Sequence, residues 1–354
     1  MTLTMNSRAR RMALRGVAFS MVAVATSLAA VCAHAQAWPT KPIKLLVPLA
    51  AGSTADIVSR YAAMELGKAL GQTVVVENKP GAGGTIAMAE VARAQPDGYT
   101  IAFASQGTLV FNQAIFASPG YDSNKDFQPI AFIGGVSNVM IVPPTSPAKT
   151  PLDIVAEAKA NPGKLTFSSG GAGTSHHLSG VLFANVTGTQ LVHVPYKGAP
   201  QGVLAVMTGE VSMGFFNTPT VIGQIKEGKV RAMGVTSLQR SPLLPNVPTL
   251  VEQGIKDYEI NTWFGFVAPA GTPPSVVTRL NAEMNKILSS ADAREKLGPQ
   301  GFDLAPPGAP EAFGKGANAG GLSRVGRSVI DDRHGDRLRH ARHDGLRPGS
   351  VRAC

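Results

Sequence analysis

The side chains best suited to chemistry lie in short runs of small and hydroxyl-bearing residues, each placed where an apolar run ends. Ser53 and Thr54 follow Leu49-Ala50-Ala51-Gly52, Ser105 and Thr108 flank Gln106-Gly107, and residues 168 to 177 read SSGGAGTSHH. The pair His176-His177 raises metal ligation, but adjacent residues cannot share a helix face as ligands at i and i+4 do. A helix-start position suits them better as a cap neighbour and a ligand-lining group. Ser169 or Ser175 with His176 would pair a nucleophile with a base, yet neither serine has the strained G-x-S-x-G context of a hydrolase elbow. His193 lies in the apolar run QLVHVP and reads as a packed residue making one backbone bond. Asp56, Glu77, Asp97, Asp122 and Asp126 show no paired spacing of the kind glycoside hydrolysis requires. Binding is the stronger proposal, because free N–H groups at a helix start, helped by hydroxyls, hold a carboxylate or phosphate without a full opposing charge.

Such residues work only if strands and helices present them together. Lys44 to Pro48 is a short apolar run bounded by prolines, expected as a strand buried on both faces, and an amphipathic helix begins near Asp56 through Ile57, Val58, Tyr61 and Met64. The bland reading of the loop between them is a simple turn with Ser53 or Thr54 as N-cap. TVVVE (73 to 77), a glycine-rich loop, a helix over 86 to 94 and YTIAFA (99 to 104) repeat strand, loop, helix, which predicts an α/β fold with a parallel sheet. In such sheets ligands collect beyond the carboxyl ends of the strands, where these small residues fall. The loop PGAGGT lacks both the Lys-Ser/Thr of a P-loop and the third spaced glycine of a dinucleotide site, so it reads as a tight turn. The long apolar run FQPIAFIGGVSNVMIV (127 to 142) marks a crossing into a second unit, where strand, small-residue loop and hydroxyl-bearing helix start recur at 165 to 178. Two such loops from two domains could face one another across a cleft.

With 354 residues, 44% of them hydrophobic and 16% charged, the chain can bury a sizeable core. Its formal charge of +10 belongs to the ends: four arginines lie in the first fifteen residues and eight, against four aspartates, after Gly316, leaving about +2 between. Nucleic acid is therefore not the expected partner. Residues 1–35 have the arginine-rich start, apolar stretch and Ala33-His34-Ala35 site of a secretory signal, which predicts export to the bacterial periplasm. Only Cys354 would remain in the mature chain, so no intrachain disulfide is expected. Residues 316–354 have neither an aromatic residue nor an apolar period, and are expected as a disordered tail left by a reading-frame shift.

VPLAAGSTADIVSR, VVVENKPGAGGTIA, PDGYT, ANPGKLTFSSGGAGTSHHLSG, VHVPYKGAPQ, VTSLQRSPLLPNVPTLVEQG and WFGFVAPAGTP, in this order, closely resemble the Bug family, the periplasmic solute-binding receptors of tripartite tricarboxylate transporters. The resemblance runs from about Trp38 to Phe313. It implies a two-domain α/β Venus-flytrap fold of the type II periplasmic binding proteins. Residues 36–140 and 259–315 would form domain 1, and 141–258 domain 2. It implies capture of a small carboxylate for a membrane permease, by a monomer that uses no cofactor and catalyses nothing. Carried over, Leu49, Ala50, Ala51, Gly52, Ser53 and Thr54 would line the cleft from one side, with Ser105, Gly107 and Thr108. Ser169, Gly171, Thr174, Ser175 and His176 would line the other, with Tyr196 and Asn217 beside them. Family members usually carry a Phe and prolines where this chain has Leu49-Ala50-Ala51, and Gln where it has His176. A periplasmic serine hydrolase, or a sensory binding protein that signals to a partner, are the alternative readings.

Overall fold

The computed structural model describes residues 38–310. The expected signal segment and the expected tail lie outside the described residues. From Lys41 onward the chain forms one unit, and Trp38–Thr40 belong to a separate N-terminal one. Strand and helix alternate as β1 (Ile43–Val47), α1 (Thr54–Leu70), β2 (Val74–Asn78), α2 (Thr85–Ala92) and β3 (Thr100–Ser105). A π-helical turn, Gly107–Phe111, then runs into the short helix α3 (Asn112–Ile115) and leads to the long strand β4 (Phe127–Val142). The alternation resumes with α4 (Pro151–Ala160), β5 (Thr166–Ser169), α5 (Ser175–Thr187), β6 (Val192–Pro195), α6 (Ala199–Met207), β7 (Met213–Asn217), α7 (Thr218–Lys226) and β8 (Arg231–Val235). The chain returns as β9 (Asn261–Pro269), α8 (Pro274–Ser289), α9 (Ala291–Leu297) and the two-residue β10 (Asp303–Leu304).

Local chemistry sets the helix ends. Ser53 caps α1 by accepting from the Asp56 amide, and Gly71, left-handed at φ 66°, ends it. Thr150 and Asp153 form a reciprocal capping box at α4, with Pro151 at the first helical position. Thr174 caps α5 through the His177 amide.

The sheet is mixed, and this corrects the expectation of a parallel one. Its strand order is β2-β1-β3-β9-β4-β7-β5-β6, with β8 and β10 also paired to β4. Two parallel groups, β2-β1-β3 and β6-β5-β7, stand on either side of β9 and β4, which run antiparallel to their neighbours. Residues 127 to 137 of β4 pair with β9, and residues 138 to 142 pair with β7 and β8. One strand therefore serves both halves, and Ser137-Asn138 is the point of change.

Both faces of the sheet are covered, so the strands read as continuous apolar runs rather than alternating ones. In the second half Met140, Val142, Met213 and Phe215 pack with α4 and α5. Their neighbours Val139, Ile141 and Phe216 point the other way, towards α6 and α7, as the two-residue period of a strand requires. In the first half Leu46, Ala102 and Ala104 meet Met88 and Val91 of α2, and α1 lies against β1, β2 and α8.

Candidate ligand-binding cleft

The carboxyl ends of β1, β3, β5 and β7 all open onto one place. The loops that follow the first-half strands abut those of the second half. A Cβ on Gly83 would stand 2.2 Å from the Ala172 carbonyl oxygen, one on Gly107 would stand 2.9 Å from that of Gly173, and one on Gly198 would stand 2.4 Å from Ala50 Cβ. Thr54, the first residue of α1, and Thr220, in the first turn of α7, have hydroxyls 3.0 Å apart. His176, the second residue of α5, places Nε2 3.1 Å from Oδ1 of Asn217, which precedes α7. Three helix N-termini thus converge, each carrying unpaired amides and roughly half a positive charge.

The loops use much of their own hydrogen-bonding capacity to hold their shape. At α1 the Asp56 carboxylate takes the Gly52 amide at 2.9 Å and Arg60 Nε at 2.9 Å. Burial pushes its pKa up, but the bonds from Arg60, the Gly52 amide and Asn78 outweigh this and leave it below the usual carboxylate range. After β3, Ser105 and Thr108 bind one another: Thr108 Oγ1 accepts from the Ser105 amide at 2.9 Å and Ser105 Oγ accepts from the Thr108 amide at 3.3 Å. After β5, Ser169 Oγ accepts from the Gly171 amide at 3.0 Å and lies 2.7 Å from His193 Nε2. Thr174 Oγ1 donates to the Gly171 carbonyl at 2.7 Å. Ser53, Ser105, Thr108, Ser169 and Thr174 are therefore buried and shape the loops.

The histidines are not equivalent. His177 Nδ1 accepts from the Gly173 amide at 3.3 Å, and its ring lies 4.2 Å from that of His193, which also stacks on Phe167 at 4.9 Å. Burial holds both neutral, with His177 lowered to about 4 and His193, further opposed by His177, to about 3. The side-chain bond to Ser169 corrects the expectation that His193 makes a backbone bond. It also separates Ser169 from His176, the pairing the hydrolase reading named, since Ser169 binds His193 while His176 binds Asn217. Burial lowers His176 to about 4 against the weaker opposing effect of Asn217, so the ring is neutral at pH 7.

Behind His176 lies a buried polar network that sequence reading did not anticipate. Asn217 Nδ2 donates to Asn138 Oδ1 at 2.5 Å and to Thr262 Oγ1 at 3.3 Å, and Asn138 Nδ2 donates to Ser179 Oγ at 2.8 Å. The Asn138 amide donates to Thr236 Oγ1 at 2.9 Å, and that hydroxyl donates to the Ile260 carbonyl at 2.7 Å. The network joins the cleft to β4 and β9, the two strands on which the halves are mounted. Its visible signal was Asn138, a polar residue inside an otherwise apolar strand. Asn112 was also missed: fully buried, it donates to the Gly83 carbonyl at 3.0 Å, while Phe111 beside it enters the core of the second half.

Among the other expected site residues, Leu49 and Ala50 are half-buried and Ala51 and Gly52 exposed at the lip, while Ser175 is buried at the start of α5. The Tyr196 hydroxyl turns away to donate to Glu210 at 2.7 Å. Among the described residues no cluster of three or more His, Cys, Asp or Glu is placed to hold a metal, and no helix is long and apolar enough to cross a membrane.

Two α/β halves mounted on shared strands, closing glycine-rich loops on one another at the strand ends, define the fold of a periplasmic binding protein. The chain belongs to the tripartite tricarboxylate transporter receptor family, whose sequence profile matches residues 58–312. It is 39% identical over 305 residues to the UPF0065 protein in the tcbD-tcbE intergenic region of Pseudomonas sp. strain P51, covering 86% of this chain and 89% of that protein. The structure of R. palustris Rpa4515 with adipate superimposes with a TM-score of 0.79 at 32% identity, covering 83% of this chain and 98% of that one. The periplasmic binding protein BugD gives a TM-score of 0.77 at 34% identity, covering 82% and 96%.

Proposed function

We propose that this protein is a periplasmic receptor that captures a small carboxylate in the cleft and delivers it to a membrane permease, without catalysing a reaction on it. The observation that carries the reading is the convergence of the α1, α5 and α7 N-termini, linked by the Thr54–Thr220 and His176–Asn217 contacts. Helix-start amides stabilise an anion through aligned dipoles and hydrogen bonds, and they gain strength where water is excluded. The R. palustris relative was solved with adipate, a dicarboxylate.

The two halves, 41–140 with 259–310 and 141–258, act as domains that swing on β4 and β9. Opening admits the ligand, and closure brings the Gly83 and Gly107 loops onto the Ala172-Gly173 loop. The protein works as a monomer, and the signal-like segment exports it to the periplasm. Calorimetry and thermal shift with di-, tri-, aromatic and amino-acid carboxylates test the reading. Submillimolar binding of at least one member is expected, and a folded sample that binds none overturns it.

A further inference from the structure

His176 is 3% exposed, and its Nδ1 has no hydrogen-bond partner. The network fixes which nitrogen carries the proton. Asn217 commits its amide hydrogens to Asn138 and Thr262, so its Oδ1 must accept, and His176 Nε2 is the donor. A neutral imidazole protonated at Nε2 leaves a lone pair at Nδ1. That lone pair lies over Gly170: the Cβ that Gly170 lacks would be 3.0 Å from Nδ1 and 2.9 Å from the amide nitrogen of Ala199. Ala199 is the first residue of the nine-residue α6, and no acceptor within its own helix reaches that amide. A buried acceptor and a helix-start donor therefore both lie within 3.0 Å of the position a Cβ would take on one glycine, beside the converging helix starts.

The group that satisfies both must donate to Nδ1 and accept from Ala199. A hydroxyl does so with its single oxygen; an ammonium has no lone pair to offer, and a carboxylate has no proton to give. We propose that His176 Nδ1 and the Ala199 amide form a subsite for a ligand hydroxyl, so that this receptor selects hydroxycarboxylates over their deoxy counterparts. The inference rests on the carboxylate reading above and narrows it. Nδ1 is already unpaired without ligand, so a hydroxyl that pairs it in a dry site gains more than a hydrogen bond is worth in water, a gain the deoxy ligand lacks.

Calorimetry on the native chain with matched pairs tests this: malate against succinate, citrate against tricarballylate, mandelate against phenylacetate. For whichever skeleton binds, the hydroxy member is expected to be tighter by about tenfold. Equal affinity, or tighter binding of the deoxy member, overturns the subsite while leaving the carboxylate reading intact. Binding of no member of any pair also overturns the subsite, and the carboxylate reading then stands or falls on the wider panel above. With ¹⁵N-labelled histidine, the free protein should show the Nε2–H form of His176, and the Nδ1 resonance should move upfield with the hydroxy ligand and not with the deoxy one. A common shift for both ligands overturns the proposal. His176→Phe should bring the affinity ratio to about one, and a persistent ratio refutes the role; if that variant does not fold, the nitrogen resonance of the native chain decides.

Discussion

Replacing Gly83 by Ala separates closure of the cleft from stability of the fold. Gly83 has φ 63°, and its added Cβ would meet the Ala172 carbonyl oxygen at 2.2 Å, where ordinary contact begins near 3.4 Å. Left-handed backbone costs a non-glycine residue about 1–2 kcal/mol in any state of the protein. The clash exists only when the two loops meet. Relieving it needs a local separation of more than 1 Å, and misfits of this kind cost roughly 1–3 kcal/mol. Gly71→Ala is the control, since Gly71 has φ 66° with nothing within 4 Å of its added Cβ. Both variants should melt a few degrees lower than the native chain. Calorimetry with the tightest-binding carboxylate should show Gly71→Ala unchanged and Gly83→Ala weakened by roughly 5- to 150-fold. Equal affinities would refute closure of these loops on the ligand. A melting loss in Gly83→Ala far beyond that of Gly71→Ala would show a permanent contact instead.

Three further outcomes follow from the same geometry. Asn217→Ala strips partners from His176, Asn138 and Thr262 at once and should cost about 2–4 kcal/mol in urea unfolding, where a loss under about 0.5 kcal/mol would remove the network from the account. Thr54→Val deletes the 3.0 Å contact to Thr220 while keeping its shape; ligand affinity should fall by roughly 2- to 12-fold with the melting temperature nearly unchanged, and an unaltered affinity would count against a latch between α1 and α7. His176 titrates about 4 in the fold against 6.5 when unfolded, so the unfolded chain binds its proton first. Its contribution of about 3 kcal/mol is present above pH ~6.5 and is lost as pH falls towards ~4. Urea unfolding at pH 7 and 4.5 should show His176→Gln losing less stability than the native chain over that step, and identical losses would refute the assignment.

The elements were largely legible in the residues. Ser53 before α1, Thr174 before α5 and the Thr150–Asp153 box mark helix starts through bonds made within four residues. The same locality explains what could not be read. Gln106-Gly107-Thr108 carries no sign of the π-helical turn, whose last residue, Phe111, packs into a core drawn from the other half. A hydroxyl in a small-residue loop looks the same whether it faces a ligand or its own backbone, and Ser105, Thr108 and Ser169 proved to be turned inward.

Sequence alone determined that the chain alternates strand and helix, that small-residue loops end several strands, and that the motif order is that of a carboxylate receptor family. These properties depend on near neighbours and on the order of motifs. Tertiary structure decided that β4 and β9 run antiparallel through the middle of a mixed sheet, because strand pairing joins residues more than a hundred positions apart. It also decided the protonation pattern around His176. Which of its two nitrogens is left for a ligand depends on Asn217, Asn138 and Thr262, residues that share one buried network only after the halves have packed on their common strands.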